Sequence, residues 1–210
     1  MMEEKEKELN RIRYIKPYFE GKKVLHIGCV AHDWRESLKE DWIHDYLIKH
    51  SKEVIGIDIL EKDIKELVKR GYDIRYANAE EFNLKIKFDV IFAGELIEHL
   101  ENLKGFLESC KSHMNPGSIL IISTPNCFGL RYILWHMLGR KFVNSEHKCW
   151  FDFWTIRQLL EFHGFEIITE DYLLLDSPKL RGYLNIFLQL IEKIFPRFSP
   201  VLIVVARYKL

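Results

Sequence analysis

The chain has no excess of charge of either sign: 31 Lys and Arg stand against 31 Asp and Glu in 210 residues. A protein that neutralises many nucleic-acid phosphates needs a basic surplus or a strongly basic face, so no nucleic-acid partner is expected. Cysteine is sparse as well. Cys29, Cys110, Cys127 and Cys149 form no CxxC pair, which excludes a zinc ribbon. No HxxxH or paired-carboxylate spacing supports the set Glu146, His147 and Asp152 as ligands, and no metal is expected. The opening MMEEKEKELNRIR is charged where a secretory signal would be apolar, so the thiols are expected to be reduced and the protein cytoplasmic. No apolar run approaches the ~20 residues of a membrane span. Repeats, low-complexity tracts and dividing linkers are absent too, which points to a single domain over 1–210.

What is present is apolar matter in a regular order. Hydrophobic residues make up 48% and aromatic ones 13%, enough to fill a core. Residues 1–20 read as an amphipathic helix with Leu9, Ile12 and Ile15 on one stripe, Pro17 marking its exit and Gly21 following as a stop. Residues 23–28 read as a buried strand that ends in Gly28, 35–50 as a helix, and 53–58 as a second strand. A helix over 61–70, strands at 72–77 and 88–93, a long helix marked by Ile97 through Met114, the turn 115–117 and a strand at 118–123 continue the alternation. Thr155 and Gln158 form a capping box for a helix that Gly164 stops, and 165–171 and 201–208 read as two late strands forming an edge pair.

Strands alternating with amphipathic helices imply βαβ crossovers. The expected fold is α/β and doubly wound, with a mostly parallel seven-stranded sheet, helices on both faces and an antiparallel C-terminal strand. Ligands in such folds sit at the carboxyl ends of the strands.

Six motifs in order carry a resemblance: VLHIGCVAHD at 24–33, VIGIDI at 54–59, ANAEEF at 77–82, FDVIFAGELIEHL at 88–100, NPGSILIISTPN at 115–126 and HKCWFDFWTIRQLLEFHGF at 147–165. Over about residues 20–208 the chain resembles the class I S-adenosylmethionine-dependent methyltransferases. It is most similar to the small-molecule O-methyltransferase branch that includes ubiquinone-biosynthesis and sugar methyltransferases. The resemblance implies S-adenosylmethionine as cofactor, with S-adenosylhomocysteine as product, held by His26, Gly28, Cys29, Asp58, Ile59, Asn78, Ala79, Glu80, Gly94 and Glu95. The first motif departs from the family: Val30 and His32 stand where glycines are usual, and His26 replaces an acid. That departure favours a rival reading as a catalytically silent binding module with the same fold. A nicotinamide dehydrogenase lacks support, because no GxGxxG follows the first strand.

Several residues carry two readings. Asp58 suits the ribose hydroxyls, and with Glu61 it equally forms a capping box. Asn78, Ala79 and Glu80 match an adenine segment or a plain polar loop. His99 lies four residues after Glu95, one helical turn along, and is a catalytic candidate or a packing histidine. His147, before the aromatic run Trp150–Trp154, is a base for a bound hydroxyl or an anchor for its loop. The expected reaction is methyl transfer to an oxygen of a small molecule, with a sugar or glycoconjugate precursor preferred and a quinone or other lipid-soluble phenol as alternative. The apolar stretches 127–154 and 176–200 are candidate acceptor-side lids, or contacts for a membrane or a second copy.

Overall fold

The protein was analysed as a computed structural model that describes residues 10–39, 42–141, 143–174 and 183–209. Seven strands form one sheet: β1 (Lys23–Ile27), β2 (Glu53–Asp58), β3 (Ile74–Tyr76), β4 (Phe88–Gly94), β5 (Met114–Pro125), β6 (Phe165–Leu173) and β7 (Val201–Tyr208). Their spatial order is β3-β2-β1-β4-β5-β7-β6. All neighbouring pairs are parallel from β3 to β5, and β7 runs antiparallel to both β5 and β6. This is the doubly wound, seven-stranded, single-domain sheet expected, with β7 as its one reversed strand.

Alternation along each strand sorts the core onto two faces. Leu25, Ile27, Ile91 and Ala93 pack on one side with α4 (Leu103–Ser112) and α6 (Phe153–Phe162), through Phe106, Leu107, Ile156 and Leu160. Val24, Val90, Phe92 and Ile121 pack on the other with α1 (Asn10–Phe19) and α2 (Ile43–His50), through Ile15, Phe19 and Leu47. Each such Leu, Ile or Phe contributes about 1.5–3 kcal/mol by leaving water.

The helices differ from expectation at their ends and breaks. The helix expected at 35–50 is a 3-10 turn, Glu36–Leu38, whose opening N–H groups at Arg35 and Glu36 are taken by the Asp33 carboxylate, followed by α2. The long helix expected from Ile97 is likewise two pieces: a 3-10 turn, Ile97–His99, then α4, whose first turn is capped by Asn102 accepting from Gly105. The Glu80 carboxylate accepts from the Glu101 and Asn102 N–H groups at this break. Pro17 lies inside α1 instead of ending it, two residues before the buried Phe19. The turn at 115–117 is enclosed in β5 as a bulge against β4, with Gly117 at φ +87°. The α6 capping box is made by Asp152 and Thr155, not by Thr155 and Gln158. Helix α3 (Glu61–Val68) begins after Leu60, so the Asp58–Glu61 box is not formed, and β3 is shorter than the expected 72–77. The apolar stretches are helical: α5 (Leu130–Met137) and α7 (Tyr183–Ile194). Leu9, Phe142 and 175–182 lie outside the described residues, and with them part of the two expected lids.

Candidate active site

Strand order reverses at β1, which sits between β2 and β4, so the carboxyl ends of β3, β2, β1 and β4 stand side by side. Open α/β sheets bind ligands at such a switch point. Gly28 turns the chain there at φ +69°, a conformation that disfavours any Cβ, and a Cβ would also come within 3.1 Å of the Leu96 side chain. Cys29 and Val30 are buried against Trp42, Ile64, Leu67 and Ile74. The loop therefore offers backbone in place of the missing glycines, and Trp42 fixes it by donating Nε1–H to the Cys29 carbonyl at 2.8 Å.

Asp58 ends β2 and is largely buried. One carboxylate oxygen accepts from the Val30 N–H at 2.9 Å; the other accepts from Ile59 at 2.7 Å and Leu60 at 3.1 Å. Burial raises its pKa, and the three N–H donors oppose the rise. Beside it Ile59 is 60% exposed, an apolar side chain left at the strand end. After β3, Asn78 accepts from the Glu80 N–H in a local turn, Ala79 is buried in the core, and the Glu80 carboxylate braces the entry to α4. His26 points elsewhere. Its ring is sealed between His44 and Phe92, with the two Nδ1 atoms of His26 and His44 3.2 Å apart.

At the end of β4, Gly94 has no room for a Cβ, which would meet the Phe92 ring at 2.7 Å. Glu95 then takes φ +52°, strain that non-glycine residues hold only when their surroundings fix it. Its N–H donates to Ser123 and its carboxylate pairs with Arg11 at 3.0 Å. The next residues fold as a 3-10 turn, which sets Glu98 into the interior, where Thr124 donates to it at 2.9 Å. Burial, and after it the nearby Glu95 charge, push the Glu98 carboxyl well above its ordinary value.

The Glu98 carbonyl accepts from the N–H groups of Lys148 and Cys149, and Asn126 bridges to Phe151. These bonds bring the loop after α5 over the strand ends. His147 thereby meets His99 edge to face at 4.7 Å between ring centroids, with Trp150 beyond it and Tyr132 against Trp150. Glu98, His99 and His147 each present one donor atom within 4.8 Å of the others, a grouping able to hold a proton network or a cation. Asp152 is committed to the α6 cap, so the set with Glu146 and Asp152 weighed from the sequence is not the one assembled. Among the described residues the buried His147 Nδ1 meets no hydrogen-bond partner. Burial and His99 lower the His147 pKa, which favours the neutral ring.

Glu98 and Tyr132 were not singled out from the sequence as site residues. Glu98 carried a signal, a second acid three residues after Glu95 and one before His99; Tyr132 carried none. A cavity of about 680 Å³ lined by Trp34, α3 residues from Lys62 to Val68, and Lys69 contains neither Glu98 nor the His99–His147 pair. The converging side chains, not the size of that cavity, locate the site.

A profile of the methyltransferase domain family matches residues 3–170. Among curated proteins, the chain is 31% identical over 170 residues to the ubiquinone biosynthesis O-methyltransferase of Rhodopseudomonas palustris, covering 75% of this chain and 63% of the relative. It is 26% identical to the human mitochondrial ubiquinone biosynthesis O-methyltransferase, covering 71% of this chain and 42% of that one. The chain spans about two fifths to two thirds of the length of the curated relatives it matches. Among solved structures, an S-adenosylmethionine-dependent methyltransferase from Archaeoglobus fulgidus superposes with a TM-score of 0.65 at 22% identity, covering 94% of this chain and 91% of that one. Magnesium protoporphyrin IX methyltransferase from Synechocystis, solved with S-adenosylhomocysteine, superposes with a TM-score of 0.64 at 16% identity, covering 95% and 80%. With the fold, the strand-end motifs and the profile match in agreement, the chain belongs to the methyltransferase domain family of class I S-adenosylmethionine-dependent enzymes.

Proposed function

We propose that this protein transfers a methyl group from S-adenosylmethionine to a hydroxyl of a small, lipid-soluble phenol such as a quinone precursor, and does so in the cytoplasm. The observation that carries the reading is the convergence of Glu98, His99 and His147 beside the Tyr132 and Trp150 rings at the carboxyl edge of the sheet. An aromatic acceptor suits that wall better than the sugar preferred from sequence, and the relatives above are named for ubiquinone biosynthesis.

The strand ends fit the cofactor. In this reading backbone at the Gly28 turn meets its methionine part, Asp58 takes the ribose hydroxyls, Ile59 and the 78–80 turn take the adenine, and Cys29, Gly94 and Glu95 complete the rim. His26 supports the end of β1 from behind. The bound sulfonium supplies the activated methyl group. His147 accepts the hydroxyl proton, and His99 orients the His147 ring. The described parts of the two apolar stretches, 127–141 with 143–154 and 183–200, act as lids on the acceptor side, excluding water. The same donor grouping, with the unpartnered His147 Nδ1, favours a second reading in which Glu98, His99 and His147 hold a divalent cation that orients the hydroxyl.

Incubation with S-adenosylmethionine and a panel of catechols, demethylated quinones and nucleotide sugars tests the acceptor class by mass spectrometry. Methylation of phenols alone is expected; methylation of the sugars alone would refute it. His147→Ala should cut turnover about 100-fold or more with S-adenosylhomocysteine affinity unchanged. Unchanged turnover would remove His147 as base. Metal titration by calorimetry separates the second reading, and no binding of magnesium or zinc would end it.

A further inference from the structure

Helices α5 and α7 are built inside out. Their charged pair is inside: Arg131 Nε donates to Glu192 at 2.9 Å with both side chains buried. Many apolar residues on these helices and just past their ends face water. Met137 is 77% exposed, Leu138 70%, Ile186 66% and Ile194 61%, and Phe187, Leu190 and Phe195 are also exposed. A soluble surface rarely gathers so many large apolar side chains without a partner.

The exposed charges of these two segments have one sign. Residues 127–141 and 183–200 contain a single acidic side chain, Glu192, and it is the one buried against Arg131. Arg140, Lys141, Lys193 and Arg197 are exposed, in a chain whose total charges balance. A second copy docked by a two-fold axis would set these cations against their own equivalents, which repel. An anionic bilayer meets both features at once, taking the apolar side chains into the acyl boundary and the cations at the headgroups.

We propose that the α5–α7 face docks this protein peripherally on anionic lipid membranes. No helix among the described residues is long and apolar enough to cross a membrane, so the contact is with one leaflet. The inference concerns a surface and holds whichever acceptor is methylated.

Sedimentation of the full chain with sucrose-loaded vesicles, without cofactor, tests it. Vesicles of phosphatidylcholine and phosphatidylglycerol in equal parts should bind the protein, phosphatidylcholine alone should bind it far less, and high salt should weaken binding. Lys193→Gln and Arg197→Gln should each weaken binding about fivefold. The double variant Leu190→Ser, Ile194→Ser should abolish it while keeping the wild-type melting temperature and S-adenosylhomocysteine affinity. Equal binding to both vesicle types, or none to either, would overturn the proposal. So would a dimer in light scattering that the double variant dissolves, since that outcome assigns the face to a second copy. Binding is read without methyl transfer, so its failure is distinguishable from failure of the methyltransferase reading.

Discussion

Acid should destabilise this protein through one pair of side chains. His26 on β1 and His44 on α2 lie with their Nδ1 atoms 3.2 Å apart and almost no exposure, so one nitrogen must donate and the other accept, which two protonated rings cannot do. Burial lowers both pKa values; His26 is lowered further by His44 and Arg11, and His44 falls to about 4 against the pull of Asp45 and Asp73. The sign follows from proton uptake. Below pH 6.5 the unfolded chain binds a proton at His44 and the folded chain does not until about pH 4, so stability is complete above 6.5 and lost as pH falls through that window. Between pH 8 and pH 5 His44 alone should cost about 2 kcal/mol, or about 4–8 °C in melting temperature for a chain of this size. Asp58 and Glu98, whose pKa values are raised, act in the opposite direction, so the variant comparison matters more than the raw profile. Urea unfolding of wild type and His44→Phe at both pH values isolates the effect: the variant should lose less stability on acidification by about 2 kcal/mol. An identical fall in both proteins would refute the reasoning.

Two further outcomes follow from buried charges. Arg131→Ala strands Glu192 in the interior and should cost about 3–5 kcal/mol by urea unfolding, whereas Arg131→Met with Glu192→Leu should recover most of it; equal stability of the single variant and wild type would show that the pair does not hold α5 to α7. Asp58→Ala should weaken S-adenosylhomocysteine binding about tenfold or more by calorimetry, with Asp58→Asn intermediate. Unchanged affinity would leave the carboxylate as a brace for the Val30 loop alone.

The sheet was legible where strands are continuous apolar runs. The intervals 53–58 and 201–208 match β2 and β7 residue for residue, because a strand buried on both faces needs no alternation and tolerates few polar residues. Helix ends were less legible. Apolar periodicity runs straight through 97–114, yet Asn102 and the distant Glu80 carboxylate capture the N–H groups at 101–105, and a long-range acceptor leaves no local trace. The site divides in the same way. Gly28, Asp58 and Glu95 are strand-end residues and could be placed from strand ends alone. The partner of His26 lies 18 residues on, the partner of Arg131 lies 61 residues on, and the depth of Glu98 depends on a 3-10 turn where a helix was expected.

The position of β7 has a consequence for synthesis. It is made after every other strand, yet it fills the gap between β5 and β6 and supplies β6 with its neighbour. Until residues 201–208 leave the ribosome, β5 offers an open apolar edge running through Ile119, Leu120, Ile121 and Ile122, and β6 has nothing to pair with. A nascent chain in that state is open to pairing with a neighbour. The sheet therefore cannot close from the N-terminus forward, and a chain truncated a few residues short of Val201 would be an adhesive intermediate instead of a smaller stable domain.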